Sequence, residues 1–146
     1  MILPRRLRPA PAFCLAMLLI GCAGPPPAGE GASCPASQGA RMLQFQLFFG
    51  RSIRGQGEVT DAAWDGFLQG VVTPDLPNGY TVFDGTGAWL NPGTGRTIHE
   101  RTKILLVALP DAAASTESVG HIRSAYAAQF HQAAVGMTVG PVCGSF

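Results

Sequence analysis

An α+β domain with the element order βαββαβ is predicted by three observations: four runs with strand character, two stretches of helical period between them, and turn signals at each junction. From Met42 to Phe49 the apolar residues Leu43, Phe45, Leu47 and Phe49 alternate with Gln44 and Gln46, which marks a strand with one buried face. Gly50 to Gly57 interrupts that pattern with three glycines and two arginines. Thr60 then offers an N-cap oxygen, Asp61 suits the positive end of a helix dipole, and Trp64, Phe67, Leu68, Val71 and Val72 share one helical face. This first helix is expected to stop before Pro74.

After the turn signal Pro77-Asn78-Gly79, Tyr80 to Leu90 carries β-forming residues interrupted by Gly85 and Gly87, and Asn91-Pro92-Gly93-Thr94-Gly95 closes a hairpin. Thr97 to Leu109 forms its second strand. Ile104 to Leu109 is apolar at every position, which implies cover on both faces. Pro110-Asp111 ends the run, and a second helix follows with Val119, Ile122, Tyr126 and Phe130 on one face. Val135, Met137 and Val139 alternate with Gly136, Thr138 and Gly140 in a last strand ending near Val142.

This order resembles the ferredoxin-like fold, in which two helices cover one face of a four-stranded antiparallel sheet. Right-handed crossovers place the fourth strand beside the first and antiparallel to it, so the start of one lies near the end of the other. Cys34 and Cys143 flank those two places.

The first 21 residues are read apart from this domain. Arg5, Arg6 and Arg8 form a basic start, Phe13 to Ile20 a short apolar stretch, and Leu19-Ile20-Gly21-Cys22 resembles the lipobox of bacterial lipoproteins. The resemblance implies cleavage before Cys22 and acylation of its thiol by chains of the palmitate kind. A spanning helix is the competing reading, but the apolar stretch falls short of the roughly 20 residues that cross a bilayer, and Pro25, Pro26 and Pro27 follow it. The expected organisation is a signal peptide at 1–21, a Pro/Gly-rich tether at 22–33 reaching about 30–40 Å when extended, and a single ferredoxin-like domain at 34–146.

Loss of the leader leaves seven basic residues against nine acidic, a net charge of −2, which gives no electrostatic footprint for nucleic acid. Of four cysteines, Cys14 leaves with the leader and Cys22 takes lipid. Cys34 and Cys143 remain as an even pair in an oxidising compartment, with no CxxC spacing and no clustered histidine beside them, so a disulfide is expected.

The stretch from Cys34 to Phe146 resembles the domain-of-unknown-function 3574 family of small bacterial lipoproteins. The resemblance rests on Leu47-Phe48-Phe49-Gly50, Gly57-Glu58-Val59-Thr60-Asp61-Ala62-Ala63-Trp64 and Val72-Thr73-Pro74, then on Gly79-Tyr80-Thr81-Val82-Phe83-Asp84, Gly87-Ala88-Trp89, Glu100-Arg101-Thr102-Lys103 and Cys143-Gly144-Ser145-Phe146. It implies no assigned activity. One departure is Ala63, where an acidic residue would complete a capping box.

Two constellations are candidates for ligand binding. Arg51 and Arg54 lie in the glycine-rich loop before the first helix, where exposed amides and guanidinium groups suit an anion; the ordinary reading of such a loop is a solvated turn. Arg101 and Lys103 share one face of the third strand. If that face is uncovered, they join Gln44, Gln46 and Trp89 in a polar floor for a small anionic ligand; otherwise they make a solvated strand end with a local ion pair. His99, His121 and His131 show no metal-ligand spacing, no serine lies in a nucleophile elbow, and carboxylates are scattered. No cofactor and no catalytic residue is assigned.

Two function classes follow. The first is a non-catalytic small-ligand-binding or assembly module anchored by the lipid on Cys22, and the second is a small-molecule enzyme of the dimeric α/β-barrel type. Both expect the open sheet face to be covered, and Phe48 with the apolar run at Ile104 to Leu109 motivates a homodimer. Ala23 stands where an aspartate would signal inner-membrane retention in enteric bacteria, so the expected location is the outer membrane facing the periplasm.

Overall fold

Phe45, Leu47 and Phe49 point into the protein from β1 (Ala40–Gly50), and their alternation with Gln44, Gln46 and Phe48 sets one covered and one uncovered sheet face. The computed structural model describes residues 33–53, 55 and 57–146. The leader at 1–21, Cys22, all of the tether but Ser33, and Arg54 lie outside the described residues. No helix among the described residues is long and apolar enough to cross a membrane.

Two residues after Gly50 the chain forms a small antiparallel hairpin, β2 (Ser52–Ile53) with β3 (Gly57–Glu58), where the sequence suggested only punctuation. α1 (Asp61–Phe67) opens at Thr60, whose Oγ1 accepts from the Ala63 N–H at 3.1 Å. The helix does not stop before Pro74. It widens into a π-helical turn, Leu68–Val72, in which the Thr73 N–H reaches back to the Leu68 carbonyl, and resumes as the single turn α2 (Thr73–Asp75). The wider turn relieves the clash a proline makes with the carbonyl four residues back, so Pro74 is carried inside the helical arm. Leu76 closes that arm, donating to the Val72 carbonyl at 2.9 Å, and is buried.

β4 (Thr81–Asn91) and β5 (Arg96–Pro110) form the expected hairpin, turned by an Asn91 side chain that accepts from the Gly93 N–H at 2.9 Å. α3 (Ala113–Gln129) buries Val119, Ile122 and Tyr126 along one stripe, and β6 (Gly136–Gly144) completes the sheet in the order β4-β5-β1-β6, antiparallel at every junction. This is the ferredoxin-like order, and it puts Cys34 next to Cys143. The two are joined by a disulfide with 5.6 Å between their Cα atoms.

The core lies between the sheet and the helices. At its centre Phe49 meets Trp64, Phe67 and Tyr126 edge-on, with ring centroids 4.8–6.1 Å apart, an arrangement that suits aromatic quadrupoles. Burial of Tyr126 pushes its hydroxyl well above the ordinary tyrosine range, and that hydroxyl donates to the Gly50 carbonyl at 3.0 Å.

Candidate functional site: the open face of the sheet

Strand register decides what each face carries. Phe49 pairs with Lys103, Leu47 with Leu105 and Phe45 with Val107, so Lys103 and Arg101 share the covered face with the core. The polar floor proposed from the sequence is therefore not assembled on the open face: its basic residues are on the other side of the sheet from Gln44, Gln46 and Trp89. Lys103 is buried, with its Nζ 2.6 Å from Asp84 and 3.6 Å from Asp61, while Arg101 pairs with Glu58 at 3.0 Å. Their charge is already matched by carboxylates of this chain.

Arg51 is equally unavailable to a ligand. Only 1% of it is exposed, its Nε donates to the Val59 carbonyl at 2.7 Å, its Nη2 donates to the same oxygen, and its Nη1 meets Asp61 at 2.8 Å. The sequence placed it in a solvated loop, whereas its side chain continues the inward face of β1 and clamps the chain between β3 and α1. The Arg51 guanidinium holds the Asp61 carboxyl below the usual carboxylate range, with smaller help from Lys103. Since Asp61 binds its proton less readily in the folded chain, the stabilisation is complete above the ordinary carboxylate pKa of about 4 and lost as pH falls through the lowered value. The gap in melting temperature between wild type and Asp61→Asn is expected to be constant above about pH 5 and to close towards about pH 2. A gap unchanged at pH 2 would refute the Arg51–Asp61 assignment.

The open face carries Phe48, Ile104 and Leu106 near its centre, with Phe83 and Trp89 exposed along β4. Several of these side chains lie over glycines: a Cβ on Gly136 would sit 3.3 Å from Phe48, and one on Gly85 would sit 3.3 Å from Ile104. Glycine there leaves room for the larger neighbour to pack close against the sheet. Among the described strand residues, the charged ones that register places on this face are Arg96 and Glu100, both beyond the end of β1.

The two ends of the face differ. At one end Glu100 sits so close over Gly50 that a Cβ there would lie 2.8 Å from its carboxylate, and it accepts from the Trp89 Nε1–H at 3.1 Å and the Ser52 N–H at 3.2 Å. At the other end a concavity of about 940 Å³ is lined by Met42, Gln44, Tyr80, Leu106, Ala108 and Phe146, a mainly apolar hollow with amide and phenol groups at its rim. Nothing in the sequence marks the hollow, because its wall is made by residues remote in the chain. Its small floor residue, Ala108, was visible only as part of an apolar run. Among the described residues no group of His, Cys, Asp and Glu is placed to hold a metal ion.

The model of a family described as a protein of unknown function, DUF3574, matches residues 44–146, and the chain belongs to that family. No curated protein matches it. Among solved structures, a phage SAM lyase in complex with S-methyl-5'-thioadenosine is similar with a TM-score of 0.56 at 11% identity, covering 70% of this chain and 83% of the lyase chain. A phage SAM lyase in its apo state is similar with a TM-score of 0.49 at 12% identity, covering 73% of this chain and 92% of that one. An amidase of the hydantoinase/carbamoylase family from Burkholderia vietnamiensis gives a TM-score of 0.30 at 13% identity, covering 70% of this chain and 28% of its own. At such identities the likeness to the first lyase is one of fold.

Proposed function

We propose that this member of the DUF3574 family is a lipid-tethered module of the bacterial envelope, non-catalytic, that assembles through the open face of its sheet. The observation that carries this reading is the character of that face among the described residues: free of helix, apolar along Phe48, Phe83, Trp89, Ile104 and Leu106, and charged only at the end that holds Arg96 and Glu100. Apolar sheet faces of this kind are found covered, since leaving them in water forfeits the burial that a partner supplies. A second copy is the partner that meets the requirement without any new complementarity, because the uncharged middle of the face brings no like charges together when it meets itself.

Placement in the envelope is supported by Leu19-Ile20-Gly21-Cys22 and by the Cys34–Cys143 disulfide, which suits an oxidising compartment. With Ala23 after the acylated cysteine, we assign the outer membrane facing the periplasm. The test is extraction of the full chain from native cells in mild detergent, followed by peptide mass and sedimentation. An acylated Cys22 and a dimer across micromolar concentrations are expected. An unmodified leader would refute the anchor, and a monomer would refute the assembly.

A second reading, a small-molecule enzyme of the dimeric α/β-barrel type, is favoured by two observations. Glu100, oriented by Trp89 and the Ser52 amide, places a carboxylate on the same face, and a phage SAM lyase, an enzyme, shares the fold. That chemistry would also use paired sheets, so dimerisation precedes either reading.

A further inference from the structure

We infer that the two copies pair about a two-fold axis running across the strands, so that Trp89 of each seats in the hollow lined by Met42, Leu106 and Ala108 of the other. This rests on the assembly reading above and gives it a geometry. β1 ends at Gly50, opposite Thr102, while β4 and β5 remain paired out to Asn91 and Arg96. The Arg51 N–H still reaches the Arg101 carbonyl at 3.0 Å, so residues 87–91 and 96–100 form a two-stranded arm that overhangs the sheet. A lone ribbon of two strands is marginal in water, yet this one exposes apolar side chains on both of its sides, with Trp89 45% and Leu90 64% accessible.

Trp89 projects on the open side, as its bond to Glu100 over Gly50 requires. The hollow of about 940 Å³ opens on that same side at the opposite end. Ile98, beside Trp89, and Ala108, in the hollow, are ten residues apart along β5, or roughly 33 Å at the rise of an extended strand. A two-fold axis across the strands near the midpoint of that span reverses strand direction and lays each projecting arm over the other copy's hollow. The contact is isologous, so one knob and one hollow make two equal contacts.

Three further features suit a second copy as the occupant. The four strands present roughly 600–700 Å² of projected face, of the order of the ~800 Å² per partner in stable interfaces. Arg96 and Glu100 both lie on the arm, so the reversed pairing keeps each copy's charges away from the same charges of its mate. The indole N–H already has Glu100 as acceptor, so burying the ring strands no donor.

Full-length chains carrying different tags, co-expressed and extracted from membranes, test this by charge exchange. Trp89→Lys paired with itself and Ala108→Glu paired with itself are each expected to lose at least tenfold in co-purification. The mixture of the two retains one native contact and gains one ion pair, and is expected to return to within about threefold of wild type. Each variant is also checked for its Cys34–Cys143 bond and melting temperature, so that a loss of pairing is separated from a loss of folding; the exposed arm residue Trp89 should leave both unchanged. A dimeric wild type whose single variants still pair, or whose mixture fails to recover, overturns the docking geometry while leaving assembly intact. A wild type that fails to co-purify with itself overturns both.

Discussion

Replacing Cys143 by Ala, or reducing its bond to Cys34, is expected to lower the melting temperature by about 20 °C. The two cysteines are 109 positions apart, so the bond closes almost the whole domain into a loop. On the chain-entropy account, opening a loop of that order frees the unfolded chain by about 4–5 kcal/mol, and a domain of ~110 residues shifts its midpoint by about 4 °C per kcal/mol. The structure gives the bond a local role as well. β6 is an edge strand, paired on one side only, and its Val139 is 51% exposed, so little packing holds it in place. The disulfide ties its end to the entrance of β1. Gly39 lets the two segments approach: its φ is +87°, and a Cβ there would lie 2.1 Å from the Gly144 carbonyl oxygen. Thermal unfolding followed with and without reductant measures the effect, and amide exchange should show β6 losing protection first. A shift under about 5 °C would mean that packing, and not the bond, retains β6.

Much of this fold was legible because each element announces itself locally. The alternation of Leu43, Phe45, Leu47 and Phe49, the Thr60 cap and the stripe of Val119, Ile122 and Tyr126 all reappear in the structure. What was not legible depends on partners distant in sequence. Alternation showed that Arg101 and Lys103 share a face, but only the pairing of Lys103 with Phe49 says which face that is. The β2–β3 hairpin has two residues in each strand, too few to show a period. Pro74 read as a stop because a proline breaks a regular α-helix; the π-helical turn that admits it leaves no mark in hydrophobic spacing. Arg51 did carry a signal that composition obscured. It falls two residues after Phe49, in phase with Phe45 and Leu47, and that phase predicts an inward side chain whatever its charge.

Arg51→Ala is the other substitution with a large expected effect, a loss of roughly 3–5 kcal/mol. The Coulombic part is small, because Asp61 is 66% exposed and solvent screens its pairing with the guanidinium. The greater part comes from two other consequences. The Val59 carbonyl, in a residue buried to 1% exposure, would lose both side-chain donors, an orphaning that costs about 1–3 kcal/mol. The space left by the side chain would open beside the aromatic core, near Phe49 on the same inward face, and a rigid interior closes such a void only in part. These origins imply an order. Arg51→Lys keeps charge and most of the stem but not the planar fork, and should lose about 1–2 kcal/mol; Asp61→Asn, which leaves the Val59 cradle whole, should lose least. Urea unfolding of the three variants at constant m value gives the comparison directly. If Asp61→Asn matched Arg51→Ala, the ion pair would be the source of the stability and the clamp between β3 and α1 would not. The predicted order instead makes Arg51 a bolt for the chain entering α1, with a domain of 5–15 kcal/mol total stability left close to unfolding when it is removed.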